Sequence, residues 1–367
     1  MKMRTIQFKL SLLAICLLTS LASPANDGQL NGRYNKEKTI KKEYRVNPDA
    51  LLKINNSYGN LTLTSWNEDR VVIEVHIKTS GNNEEKVQDK LDEITVEFEG
   101  NPNMVSAKTI FNSNRSGWNW NWGSRNNVSM QINYTVKMPV KNNVQLHNDY
   151  GNIILDRVDG HARISCDYGR LEIGELRGRN NQLSFDYTSK SSFGYINSAS
   201  ISADYSGFSI EKAGDLNISA DYTNADIKQM GNLAYSSDYG SLEVDEVDNV
   251  QGSGDYINVK LGTVHGNVDI AADYGSVEIK KMSRDAGNIT INTDYTGVNI
   301  GYDAQYYFDF EISTEYAGVK GKDNFEVNIS QEKSSKHYYK GYYGQANSGN
   351  NVSIRSDYGG ITFQPVN

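Results

Sequence analysis

Cysteine, carboxylate and tyrosine side chains meet in the segment ISCDYGRLEI, which runs from Ile164 to Ile173. Cys166 could act as a nucleophile, and Asp167 could act as a general base or a metal ligand. An active-site constellation of this kind would occur once in a chain. The Asp-Tyr pair of this segment instead recurs along most of the sequence, which predicts a structural repeat.

The repeat is marked by a tyrosine every 17 to 21 residues, with one longer step before the last. These tyrosines are Tyr150, Tyr168, Tyr187, Tyr205, Tyr222, Tyr239, Tyr256, Tyr274, Tyr295, Tyr316 and Tyr358. An aspartate precedes each of them except Tyr316, which follows Glu315. Apolar residues recur four residues before and three and five residues after the tyrosine, and small residues recur two residues before it. This alternation is typical of half-buried strands.

The apolar residues occupy even positions before the tyrosine and odd positions after it, so the alternation shifts by one residue there. Glycines such as Gly151, Gly169 and Gly240 directly follow the tyrosine. Glycine accepts the positive φ of a tight bend, so each repeat is interpreted as two short strands joined by a corner. About 18 residues cannot bury a core alone, but stacked copies can. The sequence therefore predicts an all-β parallel β-helix, a solenoid of about 18-residue coils separated by roughly 4.8 Å. The irregular columns at Lys190, Ser192, Tyr235 and Gly252 predict local bulges.

The chain divides into three predicted parts. Residues 1–25 read as a secretory signal peptide, because Lys2, Arg4 and Lys9 precede an apolar run and small residues follow it. Residues 26–140 are expected to form an N-terminal β-region around one short amphipathic helix over 84–94. Residues 141–367 form the repeats, interrupted by a tyrosine-rich loop over 336–344 that is expected to project from the rod.

Charge and composition exclude some classes of partner. The formal net charge is −8, and removal of the signal peptide removes three positive charges and no negative ones, which gives −11. Such an acidic chain is poorly suited to nucleic acid, whose phosphates require lysine and arginine. The apolar run of the signal is too short for a membrane span, so no integral membrane protein is expected. The five scattered histidines have no metal-ligand spacing, and neither a metal nor another cofactor is predicted.

Stacking of the repeats would align the carboxylates in one column and the tyrosines in another. The carboxylates are expected to accept backbone N–H groups within each bend, and a row of Ca²⁺ ions between them is the alternative. The alternation places the tyrosine rings on the inner face, as part of the core. Outward rings would instead form a flat aromatic strip suited to sugars. Cys166, in the small inward column, is expected to be a buried structural thiol.

The segment GWNWNWG over 117–123 is the local candidate for ligand binding. Trp118, Trp120 and Trp122 would share one face of an extended chain, and tryptophan is favoured where partners bind. The alternative is that these rings fill a gap in the wall of the solenoid.

Three segments resemble the bacterial putative-adhesin domain family of right-handed β-helix proteins. They are LKINNSYGNLTL at 52–63, PVKNNVQLHNDYGNI at 139–153 and NVSIRSDYGGITF at 351–363. Tyrosine stands where that family has serine before glycine. The resemblance implies a single-stranded right-handed β-helix and adhesion, with no catalytic residues to transfer.

We therefore expect an exported, non-enzymatic, adhesin-like protein that binds a glycan, an envelope component or a surface protein. A carbohydrate-active enzyme, a polysaccharide lyase or hydrolase, is one alternative, since several enzymes of both kinds use parallel β-helices. Such enzymes gather unlike residues in one groove, whereas this chain repeats the same residues in uniform columns. A structural envelope protein without a ligand is the other alternative.

Overall fold

A computed structural model describes residues 30–112 and 128–366 of the chain. These residues form an all-β structure with a long open sheet, one α-helix and one short 3-10 helix. None of the helices in the described ranges is long and apolar enough to cross a membrane.

The strands are β1 (Tyr34–Arg45), β2 (Leu51–Ser57), β3 (Leu61–Trp66), β4 (Arg70–Gly81), β5 (Ile94–Asn101), β6 (Met104–Phe111), β7 (Ser129–Pro139), β8 (Asn143–Asp149), β9 (Ile153–Val158), β10 (Ala162–Asp167), β11 (Leu171–Leu176), β12 (Asn181–Asp186), β13 (Ser191–Asp204), β14 (Gly207–Asp255), β15 (Ile257–Val264), β16 (Val268–Asp273), β17 (Ser276–Met282), β18 (Ile289–Asp294), β19 (Gly297–Asp303), β20 (Phe308–Glu315), β21 (Val319–Lys320), β22 (Glu326–Lys333), β23 (Lys336–Tyr343), β24 (Asn351–Asp357) and β25 (Ile361–Val366). The α-helix is α1 (Glu84–Glu93), and the 3-10 helix spans Lys322–Asn324.

Strands of successive repeats pair in parallel and in register. The strands that end at the residue before a tyrosine pair with one another, for example Leu146 with Ile164 and Ile164 with Leu183. The strands that follow a tyrosine do the same, for example Ile153 with Leu171. We call these two sets the pre-tyrosine row and the post-tyrosine row. Both rows continue through the long strands β13 and β14.

The core lies between the two rows and consists of the apolar columns that the sequence predicts. Ile164, Leu171 and Ile173 of one repeat are at most 3% exposed, and their equivalents in the other repeats form one continuous cluster with them. Burial of each such side chain contributes about 1.5–3 kcal/mol. The stacked repeats are therefore stabilised mainly by burial of these columns.

The corner conformation differs from the prediction. The tyrosines themselves, not the glycines after them, adopt positive φ, between 51° and 63°. The following glycine has a different role, because a Cβ atom on Gly169 would lie 2.0 Å from the carbonyl oxygen of Gly151 in the preceding repeat. Left-handed backbone costs a non-glycine residue about 1–2 kcal/mol. The backbone hydrogen bonds of the corner, such as Tyr150 N to Asp167 O at 2.9 Å, offset part of this cost.

The predicted bulge at Tyr235 and Gly252 is also wrong, because the two irregular residues compensate for each other. They occupy the same inward position in adjacent repeats, and a Cβ atom on Gly252 would lie 2.2 Å from the Tyr235 ring. The large side chain of one repeat thus fills the space that the next repeat leaves empty. Strand β14 continues through both positions.

The N-terminal end extends both rows, first with one parallel strand each, β7 on β3 and β6 on β2, and then with antiparallel strands. Beyond β3 lie β7, β4 and β1, and beyond β2 lie β6 and β5. The helix α1 confirms the predicted amphipathic segment, since Val87 and Leu91 are buried and Asn83 caps its first turn. It is tied to the strands by hydrogen bonds from Lys38 Nζ to Leu91 O and from Thr79 Oγ1 to Val87 O.

The C-terminal end differs from the predicted projecting loop. Residues 336–343 form strand β23, which pairs antiparallel with β20 and buries Tyr339. Strand β22 pairs with β23 and lies at the margin of the sheet. The last repeat then returns to the pre-tyrosine row, where β24 lies between β18 and β20 and pairs in parallel with both.

Candidate binding surface

Twelve tyrosine rings form one continuous stack along the corners. Successive ring centroids are 4.6–5.3 Å apart and the ring planes deviate by no more than 9°. In order, the stack contains Tyr58, Tyr150, Tyr168, Tyr187, Tyr205, Tyr222, Tyr239, Tyr256, Tyr274, Tyr295, Tyr358 and Tyr316. The side chains are 38–59% exposed, so the predicted inward orientation is wrong. Positive φ at each tyrosine breaks the alternation and turns the ring out of the core.

The outward rings do not make a flat aromatic strip. Each ring inside the stack has another tyrosine ring on both faces, so the surface consists of ring edges and hydroxyl groups. At one end, Phe111 contacts the Tyr58 ring edge-on, with centroids 6.0 Å apart. Stacking of a sugar ring on the interior tyrosines is therefore blocked by their neighbours.

The aspartate column lies beside the stack and joins the repeats. The Asp221 carboxylate accepts the backbone N–H of Asp238 at 3.1 Å, and Asp238 accepts that of Asp255 at 2.8 Å. These bonds run between repeats, not within one bend as the sequence suggested. Asp255 is exposed, but partial desolvation of its carboxylate, together with the neighbouring Asp238 and Asp273 carboxylates, raises its pKa. In the described ranges, no group of three or more His, Cys, Asp or Glu side chains is arranged to hold a metal ion.

Beyond the aspartates, the pre-tyrosine row carries a face of small polar side chains. Three residues before the tyrosine stand serines, namely Ser165, Ser184, Ser202, Ser219, Ser236 and Ser253. Five residues before it stand Gln182, Ser200, Asn217, Ala234 and Gln251. Strand pairing places these residues in columns, for example Ser184 beside Ser202 and Ser202 beside Ser219.

A third column, seven residues before the tyrosine, is an asparagine ladder. Asn232 Nδ2 donates to Asp215 Oδ1 at 2.7 Å, and Asn249 Nδ2 donates to Asn232 Oδ1 at 2.8 Å. Asn267 continues the ladder with a bond from its Nδ2 to Asn249 Oδ1 at 3.1 Å. The ladder fixes the far edge of the face, as the tyrosine stack fixes the near edge.

The face is concave between the asparagine ladder and the serine column. One depression of about 900 Å³ spans six repeats between the asparagine ladder and the next column, from Asn180 to Asp269. A second, of about 430 Å³, reaches the serine column. Gln182, Ser200 and Asn217 line both, so the two form one channel, which we call the polar groove.

The outer face of the post-tyrosine row has a different chemistry. It carries ion pairs between and within repeats, such as Lys228 with Asp226 and Asp245 at 3.0 and 3.3 Å, and Lys281 with Asp303 at 3.0 Å. Among the described residues, none that lines the polar groove takes part in an ion pair. The polar groove thus differs from the outer face of the post-tyrosine row, because its described lining residues form no ion pairs.

The residues singled out from the sequence fall in different places. Trp118, Trp120 and Trp122 lie outside the described residues. Cys166 is buried with its Sγ 3.4 Å from the Gly151 carbonyl oxygen, and burial raises the pKa of its thiol to about 12. This agrees with the predicted structural thiol.

The groove is not among the features predicted from the sequence, although its signal is present. The predicted columns lie one, two and four residues before each tyrosine, whereas the groove is lined by residues three, five and seven before it. The serine at the third position occurs in six consecutive repeats, from Ser165 to Ser253. Because these side chains are small and polar, a search for periodic apolar residues does not detect their column.

No protein-family model matches the chain, and a search of curated proteins finds no match. Solved structures that match this chain include a putative cell adhesion protein from Clostridium sporogenes, which is 12% identical and has a TM-score of 0.18. That match covers 90% of this chain and 100% of the other chain. A putative adhesin from Parabacteroides merdae has 9% identity, 89% and 96% coverage, and a TM-score of 0.30. A putative lipid binding protein from Parabacteroides distasonis has 13% identity, 89% and 96% coverage, and a TM-score of 0.29. Likeness at this level carries no argument about function.

Proposed function

We propose that this protein is a non-enzymatic, adhesin-like binding protein built on a right-handed parallel β-helix, and that it binds its ligand in the polar groove. The observation that carries the proposal is a row of exposed hydroxyl and amide side chains without protein partners. Within the described ranges, the side chains of Ser202, Ser219, Gln182, Asn217 and Gln251 make no hydrogen bond to the protein. Yet they lie in register on one face.

The β-helix is supported by the pairing pattern. Each pre-tyrosine strand pairs in parallel with its equivalent in the next repeat, and each post-tyrosine strand does the same. A chain that alternates between two such rows winds once per repeat. The advance of 4.6–5.3 Å between successive tyrosine rings matches the spacing of neighbouring strands.

The non-enzymatic assignment rests on the uniformity of the face. Catalysis needs unlike groups brought together at one point, such as a nucleophile beside a base. The groove repeats the same hydroxyl and amide groups along its length. The thiol of Cys166 is buried with a raised pKa, which is the opposite of an activated nucleophile.

We also propose that the protein is exported. The charge, the apolar run and the small residues of segment 1–25 support this, and residues 26–140 and 141–367 would then form the mature protein. The three tryptophans of segment 117–123 remain a second proposed contact region, to be tested separately from the groove.

Native affinity electrophoresis tests the proposal. The mature protein is run in gels that contain polysaccharides or envelope extract, and the chain length of each polymer is measured afterwards. Retardation without shortened chains is expected. Ser200→Trp should abolish it, whereas Ser192→Trp should not.

This control is matched. Ser192 is also an exposed serine of strand β13, but it lies in the post-tyrosine row. Equal retardation of the two variants would place binding outside the groove. Loss only in the Trp118→Ala, Trp120→Ala, Trp122→Ala variant would assign it to the tryptophans, and shortened polymers would identify an enzyme.

A further inference from the structure

We infer that the ligand of the polar groove is an uncharged, extended polysaccharide that lies parallel to the tyrosine stack, with one sugar facing each repeat. This inference rests on the proposed function and specifies its ligand.

The shape of the groove favours a linear polymer. Its larger depression spans six repeats in one direction beside the asparagine ladder, and its smaller depression spans four repeats and reaches the serine column. Alongside it, the tyrosine rings advance by 4.7–5.2 Å per repeat from Tyr187 to Tyr274. A pyranose ring in an extended β-linked chain advances by a similar distance. Successive sugars can therefore meet the same groups in successive repeats.

The chemistry of the lining favours hydroxyl groups as partners. Asn217 and Gln251 each offer an amide that both donates and accepts, and Ser200 offers a hydroxyl that does both. These side chains have no hydrogen-bond partner in the described part of the protein. Sugars present the same bifunctional hydroxyl groups along both edges of the chain, so each repeat can exchange hydrogen bonds with the sugar opposite.

Charge excludes an anionic polymer. Asp215 and Asp269 line the groove, and the aspartate column, one residue before each tyrosine, lies between the serine column and the tyrosine stack. Among the described residues that line the groove, Arg163 is the sole cation and lies at one end. Like charges along the full length would repel a uronate-rich or sulfated chain. An uncharged chain meets no such repulsion, and the carboxylates can accept hydrogen bonds from its hydroxyl groups.

Recognition by repetition predicts a dependence on ligand length. Each added sugar that gains about one net hydrogen bond contributes about 0.5–1.5 kcal/mol, or roughly two- to tenfold in affinity. Affinity should rise in this way until the oligomer fills the groove, at about six sugars. A site for a single sugar would show no such rise.

Two measurements test the inference. The first measurement compares hydroxyethyl cellulose, carboxymethyl cellulose, xylan and mannan in affinity gels. The two cellulose derivatives differ mainly in charge, so their comparison isolates the effect of charge. The second is calorimetry with cello-, xylo- and manno-oligosaccharides from the disaccharide to the octasaccharide. We expect retardation by at least one uncharged polymer, none by carboxymethyl cellulose, and affinity that grows with length. Ser200→Trp should remove both effects and Ser192→Trp neither.

The outcomes separate the inference from the function on which it rests. Preference for carboxymethyl cellulose, length-independent affinity or retardation by none of these polymers would overturn the inference. If an envelope protein is then bound and Ser200→Trp alone prevents it, the proposed function stands with a different ligand. If neither variant differs from the wild type with any ligand, both fail.

Discussion

The ring of Tyr358 stacks on the ring of Tyr295 with centroids 4.6 Å apart, although Tyr316 lies between them in sequence. The reason is that β24 is inserted between β18 and β20, so that Tyr358 also stacks on Tyr316 at 4.8 Å. The last repeat is thus inserted inside the pre-tyrosine row and does not lie at its end. The hairpin of β22 and β23 then covers the outer edge of β20.

The stacked tyrosines should contribute through both their rings and their backbone conformation. Tyr222→Val removes two ring contacts of about 0.5–1.5 kcal/mol each. It also places a β-branched residue at a φ of 53°, where such residues are rarely found. We expect a clear fall in the urea midpoint. Tyr222→Phe, which keeps the ring, should leave the midpoint nearly unchanged, and an equal loss in both variants would contradict a role for stacking.

The glycine after the tyrosine is required by close approach of the backbone. Gly169→Ala would place a methyl group 2.0 Å from the Gly151 carbonyl oxygen, so the repeats must separate locally and stability should fall. Gly297→Ala is the control, because no heavy atom lies within 4 Å of its added Cβ. That variant should be neutral or gain up to about 1 kcal/mol from reduced chain entropy. Thermal unfolding of both variants measures the difference.

The Tyr235 and Gly252 pair should behave as a coupled unit. Gly252→Val alone should be strongly destabilising, because its side chain overlaps the Tyr235 ring. Tyr235→Leu alone should leave a cavity. The double variant restores the apolar column of the other repeats, so its free energy of unfolding should exceed the value expected from adding the two single effects. Strict additivity would show that the two side chains do not compete for one space.

The carboxylate of Asp255 should make stability fall as the pH rises. Because the pKa of Asp255 is raised above its ordinary value of 3.8, the folded protein holds this proton more tightly than the unfolded chain. Its stabilising contribution is therefore complete below pH 3.8 and is lost as the pH rises through the raised pKa. Asp255→Asn should be more stable than the wild type at neutral pH, and the difference should shrink on acidification. Melting temperatures across this pH range provide the measurement, and a difference that grows on acidification would contradict the sign.

The thiol of Cys166 should be inert in the folded protein. It is buried, and its pKa is raised to about 12, so the reactive thiolate is scarce near neutral pH. In a protein that lacks residues 1–25, a thiol reagent at pH 8 should label this cysteine only after urea is added. Rapid labelling without urea would show that the repeat around Cys166 opens easily.

Much of the fold could be predicted because buried positions recur at regular intervals and are occupied by apolar residues. Ile164 and Leu171 lie inside, as their alternation required, and Val87 and Leu91 mark the helix. The orientation of the tyrosine rings could not be read in this way. The alternation rule assumes an extended backbone. A single residue at positive φ turns its own side chain to the face opposite to the one that the rule predicts. The site was missed for a related reason, since exposed serines and asparagines gain nothing from burial and their columns form only when repeats stack.

The sequence by itself determined the period, the two strands of each repeat, the apolar columns and the acidic charge. These are local properties, fixed by the spacing of side chains along one strand. Only the tertiary structure decided that the tyrosines stack outward, that the repeat of Tyr358 is inserted beside that of Tyr295, and that serines and asparagines line one groove. Each of these depends on contacts between residues at least 17 positions apart, and such contacts exist only once successive repeats are hydrogen-bonded in register.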